Sequence, residues 1–298
     1  MKTSVIKFSL RFHLRIGIHT SIAGSIHEAA ERAHRLGCNT LQIFSSSPRQ
    51  WRARSMDGSD ARELDRLRRR YDLYPMAIHG NYLINLASSE PVIRRRSIAA
   101  FRGEIERALA LGAEYLITHP GSVKKADRGR GVTAFAAGLE EAARGLKLDG
   151  LRILIENTAG GGGSLGGDLA EVAAIIERAG LPTGCCLDTA HSYEAGFDLG
   201  TAAGLDAWIE RITATVGLSA VPVVHTNDSR TSLGSHRDRH EHIGKGGIGR
   251  EGFRRILNHP ALREKAFILE TPLEKKGDDR RNLRAVRTLV EGNAGKAI

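Results

Sequence analysis

The chain has 298 residues, 41% of them hydrophobic, enough to close the core of one large α/β domain or two ordinary ones; disordered and collagen-like chains are excluded. Lys and Arg number 44 against 34 Asp and Glu, and the net charge of +10 favours a polyanionic partner such as nucleic acid without specifying one. No apolar run approaches the roughly 18 to 20 uncharged residues of a membrane span, and three Cys, two adjacent at Cys185 and Cys186, cannot build a disulfide framework. A soluble protein of a reducing, cytoplasmic compartment is expected, with no membrane partner.

Residues 1–14 carry basic residues, but Arg11 and His13 interrupt the apolar stretch and no small-residue cleavage site follows. They read as an extension before a domain at 15–298, and not as a signal peptide. Short β-branched runs then alternate with longer stretches of helical period, the pattern of βαβ units and a parallel sheet. In chain order the pattern predicts a strand at Arg15–Thr20, a helix at Ser25–Leu36, and strands at Thr40–Phe44 and Met76–His79. A helix at Ile93–Leu111, a strand at Tyr115–His119, a helix at Val132–Leu146 and a strand at Arg152–Glu156 follow. Next come a helix at Asp168–Ala179, a strand at Gly184–Asp188, a helix at Leu205–Val216, strands at Val221–His225 and Ala266–Glu270, and a last helix at Arg280–Val290. Eight such strands in this length are the arithmetic of a single-domain TIM (β/α)8 barrel. A doubly wound sheet is the alternative, but no Gly-x-Gly-x-x-Gly follows the first strand and no linker halves the chain.

The strand ends carry the chemistry. His79, His119, Glu156, Asp188, His225 and Glu270 each close a strand, and His19 lies near the end of another. In a TIM barrel the carboxyl ends converge on one face above an apolar interior. Any one of these residues is readily explained as a hydrogen-bonded strand end, but six on one face without counter-ions would be expensive to bury. Histidines and carboxylates without cysteine suit Zn²⁺, Mn²⁺ or Fe²⁺. Asp188-Thr-Ala-His191 adds a second donor beyond a strand end, and Asp238-Arg-His240 either grips an ion from the loop after the seventh strand or is part of a solvated basic turn. The run Gly160–Gly167 lacks the Lys-Ser/Thr of a nucleotide P-loop, so no nucleotide cofactor is expected; it either lets backbone approach a nucleic-acid phosphate or turns tightly into Asp168 as a helix N-cap. The basic runs Arg66–Arg70 and Arg94–Arg96 fall in helical segments and read as solvated faces, whereas Lys124, Lys125, Arg128 and Arg130 follow His119 and are better placed for phosphate.

Seven strings, His79-Gly-Asn-Tyr-Leu-Ile-Asn-Leu86, Thr118-His-Pro-Gly-Ser122, Ile155-Glu-Asn-Thr-Ala-Gly160, Leu187-Asp-Thr-Ala-His191, His225-Thr-Asn-Asp228, Gly234–Gly244 and Leu269-Glu-Thr271, resemble in order the signature segments of the endonuclease IV family. These are zinc-dependent apurinic/apyrimidinic endonucleases of base excision repair on a xylose-isomerase-like barrel, and the resemblance runs from about Arg15 to the last helix. It implies three Zn²⁺, with Mn²⁺ or Fe²⁺ accepted at some sites. By motif, His79, His119 and Glu156 would hold one; Glu156, as the bridging catalytic residue, would share a second with Asp188, His225 and Glu270; His191, Asp238 and His240 would hold the third. Three dications over four carboxylates leave a positive site able to bind a phosphodiester.

Water held between two such ions is deprotonated near neutral pH and can attack phosphorus in line. The resemblance implies a cut 5′ to an abasic site in duplex DNA, leaving a 3′-hydroxyl and a 5′-deoxyribose phosphate, with removal of 3′ blocking groups as a related activity. It also implies a monomer, nucleoid-associated in a bacterium. Arg49 and Gln50 in Pro48-Arg-Gln-Trp51 would fill the space of the displaced nucleotide, and Tyr82 and Leu83 would form a second wedge. On residues alone, Trp51 and Leu83 are equally explained as loop packing and a helix start. Ser47, Gly161, Ala190 and Lys245 depart from the family's usual Asn, Gln, Cys and acid, and none is an implied ligand. A metal-dependent sugar isomerase or epimerase on the same barrel is the alternative, although one or two ions would serve it and it has no use for Asp238-x-His240 or the rim residues. A non-catalytic DNA-binding protein with structural zinc is a third reading, against which stands the absence of Cys from the ligand set.

Overall fold

A strand buried on both faces still has two sides, and in this chain their parity decides what reaches the barrel's mouth. The computed structural model describes residues 14–53, 58–123 and 128–290, so the 1–14 extension (save its last residue) and Lys124 and Lys125 lie outside the described residues. The elements run β1 (Arg15–His19), α1 (Glu28–Arg35), β2 (Thr40–Phe44), α2 (Gly58–Tyr71), β3 (Met76–His79), α3 (Pro91–Ala110), β4 (Tyr115–Thr118), α4 (Arg128–Ala143), β5 (Arg152–Glu156) and α5 (Leu169–Arg178). After these come β6 (Thr183–Asp188), α6 (Thr189–Glu194), α7 (Ala202–Ala214), β7 (Val223–His225), β8 (Asp228–Ser229), β9 (His240–Glu241), α8 (Gly249–Asn258), β10 (Ala266–Leu269) and α9 (Asp278–Leu289).

Strands β1 to β7 and β10 close into a parallel barrel in the order β1-β10-β7-β6-β5-β4-β3-β2, as the sequence predicts. The short strands β8 and β9 pair antiparallel, Asp228 opposite Glu241 and Ser229 opposite His240, inside the loop after the seventh barrel strand. α2, of which only the run Arg66–Arg70 is read as helical in the sequence, has no predicted bounds, and α6 and α8 are not among the helices predicted there. α2 has only Leu64, Leu67 and Arg68 buried in its fourteen residues, too few apolar positions to announce a helical stripe.

Alternation splits the core in two. Met76 and Ile78, Ile153 and Ile155, and Cys185 and Leu187 pack outward beneath the helices. The opposite parity gives Ala77, Ile117, Leu154, Cys186, Val223, Ala266 and Ile268, a separate cluster filling the barrel. The adjacent cysteines thus face opposite sides, both free and buried. Near the first strand's centre, a Cβ on Gly17 would stand 2.0 Å from the Thr40 carbonyl oxygen, so only glycine lets β1 and β2 approach here.

The basic helical run is not uniformly a solvated face. Arg66 pairs with Glu63 at 2.6 Å and Arg69 with Asp65 at 2.9 Å on the surface, but Arg68 turns inward. Its guanidinium reaches Glu114 at 2.6 Å and the Gly112 carbonyl at 2.7 Å. Asp168 caps α5, its carboxylate accepting from the Ala170 amide at 3.0 Å, as one reading of the glycine run expects. No described helix is long and apolar enough to cross a membrane.

Candidate metal centre

One step beyond the filled interior, the inward parity of the barrel strands delivers His19, His79, Glu156, Asp188, His225 and, just past the ends of β4 and β10, His119 and Glu270. Joined by His191 and His240 from the segments beyond β6 and β7, and leaving His19 aside, these residues' donor atoms form three overlapping groups, each within 4.8 Å: His79, His119 and Glu156; Glu156, Asp188, His225 and Glu270; and Asp188, His191 and His240. Glu156 and Asp188 each belong to two groups. Asp238 closes in from solvent, 61% exposed, with its carboxylate 3.3 Å from His191 Nε2 and 3.6 Å from His240 Nε2. All nine residues named from the sequence as ligands are therefore brought to one face. The third group draws on Asp188 as well as on the His191, Asp238 and His240 set read from the motifs.

The ring nitrogens are sorted by what lies behind them. His79 Nδ1 donates to the Gly80 carbonyl (2.9 Å), His191 Nδ1 to that of Asn157 (2.9 Å) and His240 Nδ1 to that of Glu270 (3.2 Å), so each directs Nε2 into the cluster. His225 is reversed: its Nε2 donates to Gln42 Oε1 at 2.8 Å, leaving Nδ1 3.0 Å from Glu156 and 3.3 Å from Glu270. Asp188 takes the His191 amide on one oxygen (2.9 Å) and the Asn227 side chain on the other (2.7 Å), while Asn227 Oδ1 accepts the Glu270 amide at 2.8 Å. Asn157 Oδ1 holds the Asp188 amide at 2.6 Å.

Gln42, Asn157 and Asn227 are the working residues that sequence reading misses, and His19 is noted there without a role. A signal existed for Gln42, a polar residue of inward parity within the apolar run Thr-Leu-Gln-Ile-Phe, and for the two Asn, one following Glu156 and the other two past His225.

The donor set fits divalent ions. His191 Nε2 and His240 Nε2 are buried without a hydrogen-bond partner although carboxylate oxygens stand nearby, a condition that a bound cation relieves. Electrostatics agree. Burial opposes ionisation of Glu156, but the surrounding His119, His225 and His191 hold its pKa well below the usual carboxylate range. Burial likewise opposes a charged His191, yet Asp188, Asp238 and Glu156 hold its pKa well above that of a free imidazole. Asp238, exposed on its solvent side, loses some hydration at the site's mouth, but His191 and His240 outweigh this and lower it to about 2. His79, His191 and His225, all raised, thus stand as the positive partners of these carboxylates, whereas burial lowers His119.

At the rim Arg49, Gln50 and Trp51 are exposed, and Tyr82 stands 59% exposed with its ring 5.4 Å from Phe44 and 5.9 Å from His79. Partial desolvation at the site's mouth and the carboxylates of Glu270, Glu156 and Asp238 push the Tyr82 hydroxyl up to about 12. Leu83 is half-buried, its amide on Asn81 Oδ1 at 2.8 Å. Asn81 also donates to the carbonyls of Gln50 (2.6 Å) and Ser47 (3.3 Å), and the Tyr82 amide to that of Pro48 (3.2 Å). What the sequence reads as two wedges is one stitched ridge.

Beside it lies a cavity of about 480 Å³ lined by Asn81, Tyr82, Asn85, His119, His191, His236 and Asp238 together with Gly160 and Gly161. A Cβ on Gly161 would sit 2.2 Å from the His236 carbonyl oxygen, so the departure at Gly161 is required by the way the long loop lies on it. Nothing in the structure accounts for Ser47, Ala190 or Lys245. Arg128 is engaged by Glu171 and the Ser164 carbonyl, away from the role in phosphate contact suggested by its place in the sequence.

A closed parallel barrel with clustered His, Asp and Glu at its mouth defines an enzyme of the metal-dependent xylose isomerase-like TIM barrel class, and the model of that family matches residues 30–289. Among its relatives, the chain is 53% identical to a probable endonuclease 4 of Solibacter usitatus, over 93% of this chain and 97% of the other, and 40% identical to one of Methanoculleus marisnigri, over 92% and 98%. The crystal structure of endonuclease IV from Thermus thermophilus superposes with a TM-score of 0.82 at 38% identity, covering 92% of this chain and 98% of that one. The chain belongs to the endonuclease IV family and by that membership is a nuclease. A D-tagatose 3-epimerase-like protein at 18% identity, TM-score 0.68, shares the fold.

Proposed function

We propose that this protein is a DNA-repair endonuclease that hydrolyses the phosphodiester 5′ to abasic sites in duplex DNA, leaving a 3′-hydroxyl and a 5′-deoxyribose phosphate, and that it also acts on 3′ blocking groups. The observation that carries the reading is the overlap of three donor groups through Glu156 and Asp188, with Tyr82 of the exposed rim 5.9 Å from His79. His79, His119 and Glu156 would hold one Zn²⁺; Glu156, Asp188, His225 and Glu270 a second; His191, Asp238 and His240 a third, with Mn²⁺ or Fe²⁺ accepted by the same donors. When bound, such ions supply Lewis acidity toward phosphate oxygens and a water acidic enough to ionise near neutral pH.

The chain's own residues do the rest. Gln42, Asn157 and Asn227 hold His225, Asp188 and Glu270 in place through buried hydrogen bonds, so the donors need not reorganise on binding. Tyr82 and Leu83 would press into the duplex from one side while Arg49 and Gln50 fill the space of the displaced nucleotide, and the net charge of +10 strengthens encounter with the backbone. Glu156, in two donor groups and wholly buried, is the residue assigned to the catalytic position. The reading includes a monomer acting in the cytoplasm, at the nucleoid in a bacterium.

The test is incubation of metal-loaded protein with a duplex carrying one tetrahydrofuran abasic analogue. A nick on its 5′ side with a 3′-hydroxyl end is expected. An uncut duplex at full metal content overturns the reading, and turnover of a ketose epimer instead would assign the chain to the sugar epimerases.

A further inference from the structure

Asp238 and His240 come to the cluster from a loop, whereas His191 comes from the short helix α6. Something must hold the loop against the helix. In the same helix, three residues past His191, Glu194 is wholly buried. Its Oε1 accepts from Ser229 Oγ at 2.7 Å, Thr231 Oγ1 at 3.2 Å and the Arg239 amide at 3.1 Å, while its Oε2 is buried without a partner.

These donors are placed where the ligands are. Arg239 lies between Asp238 and His240, its carbonyl takes the Arg230 amide at 2.8 Å, and Ser229 is the β8 residue paired with His240. The Glu194 main-chain carbonyl also accepts the His236 amide at 3.0 Å, and that of Tyr193 the Gly234 amide at 3.2 Å. The loop's base is fixed separately: the Asp228 carboxylate accepts the amides of Gly246 at 2.9 Å and Ile248 at 2.9 Å.

We infer that Glu194 is the positioning residue that docks the 230–239 loop onto α6 and so assembles His191, Asp238 and His240 into one cation site. The assignment rests on the metal reading given under Proposed function. Removing the carboxylate would loosen the Asp238–His240 segment, which keeps only its main-chain ties, while leaving His79, His119, Glu156, Asp188, His225 and Glu270 on the barrel.

The experiment is metal counting and chelator competition on the purified full chain loaded with zinc, comparing it with Glu194→Ala and Glu194→Gln. Glu194→Ala should weaken one of three ions by about 10- to 100-fold, the scale seen when a residue supporting a ligand is removed, with the other two retained. Glu194→Gln keeps the Oε1 acceptor and should restore the third. In metal-free protein, the Arg239 amide should exchange faster in Glu194→Ala than in the native chain.

Native retention of all three ions by Glu194→Ala overturns the assignment, as does parallel loss of all three. If that variant fails to fold, Ser229→Ala combined with Thr231→Val removes two donors from the loop side. The same selective weakening is then expected, and native retention counts against the assignment. An unsubstituted chain that holds fewer than three ions overturns the metal reading and this assignment with it, whereas three ions in the native chain and three in Glu194→Ala overturn this assignment alone.

Discussion

Gln42→Leu offers a demanding test of the site, because Gln42 touches no implied substrate and yet fixes two implied ligands. Its amide is wholly buried, accepts from His225 Nε2 at 2.8 Å, donates to Glu270 and lies 2.9 Å from His19 Nδ1. Leucine is close in size but offers no polar atom. The His225 Nε2–H would be left buried and unpaired, costing about 1–3 kcal/mol. His225 can escape that cost by moving its proton to Nδ1, where it faces Glu156 and Glu270 and is lost as a donor to a cation.

Because an ion must reclaim Nδ1, its binding reverses that proton shift, and the Glu156, Asp188, His225 and Glu270 group is weakened by up to roughly that free energy. At about 1.4 kcal/mol per tenfold, it corresponds to roughly 10- to 100-fold in affinity, the range typical of such supporting residues. Competition against a chelator of known affinity, with zinc counted per chain, measures it directly. Zinc binding unchanged within about twofold at every site, with folding intact, would refute the argument that Gln42 selects the His225 tautomer.

Other outcomes are expected from the same geometry. Glu156→Gln, which keeps the size of the side chain but removes a charge shared by two donor groups, should reduce nicking of abasic duplex by at least about 10³-fold, of the order found when a group acting on the transition state is removed. Duplex affinity measured by fluorescence anisotropy should stay within about threefold, and unaffected nicking would mean that the catalytic position is wrongly assigned. Tyr82→Ala should lower affinity for abasic duplex by roughly 1–3 kcal/mol, the range for losing a stacking aromatic, with zinc content unchanged; loss of zinc instead would make Tyr82 structural. Arg68→Met breaks a buried cation's contacts with Glu114 and the Gly112 carbonyl. Because Glu114 is 35% exposed and keeps water as a partner, denaturant unfolding should show a loss of about 2–4 kcal/mol, at or below the usual cost of breaking a buried pair. A change under about 0.5 kcal/mol would contradict the burial argument.

The barrel and the cluster at its mouth were legible in the sequence because strand signals are local. Each run of four to six residues announces itself by composition, and the side-chain period of two places a residue at the strand end on the same face as the apolar residue two before it. His79 follows Ala77, Glu156 follows Leu154, Asp188 follows Cys186, and each pair shares the barrel interior. Helix boundaries were less legible. α3 starts at Pro91, two residues before the apolar period does, and α2 buries too little to show a stripe.

Tertiary structure alone decided which ring nitrogen each histidine presents, that Asp188 is common to two donor groups, and that the two rim segments form one ridge through Asn81. It also decided that Arg68 is buried while its neighbours are not, and that Gly161 is bare because His236 lies against it. The contacts responsible join distant points in the chain: 183 residues separate Gln42 from His225, and 45 separate Glu194 from Arg239. Local periodicity specifies which side of a strand a residue occupies, but not which polar group from another strand or loop will stand opposite it. Only closure of the barrel brings those groups within hydrogen-bonding distance.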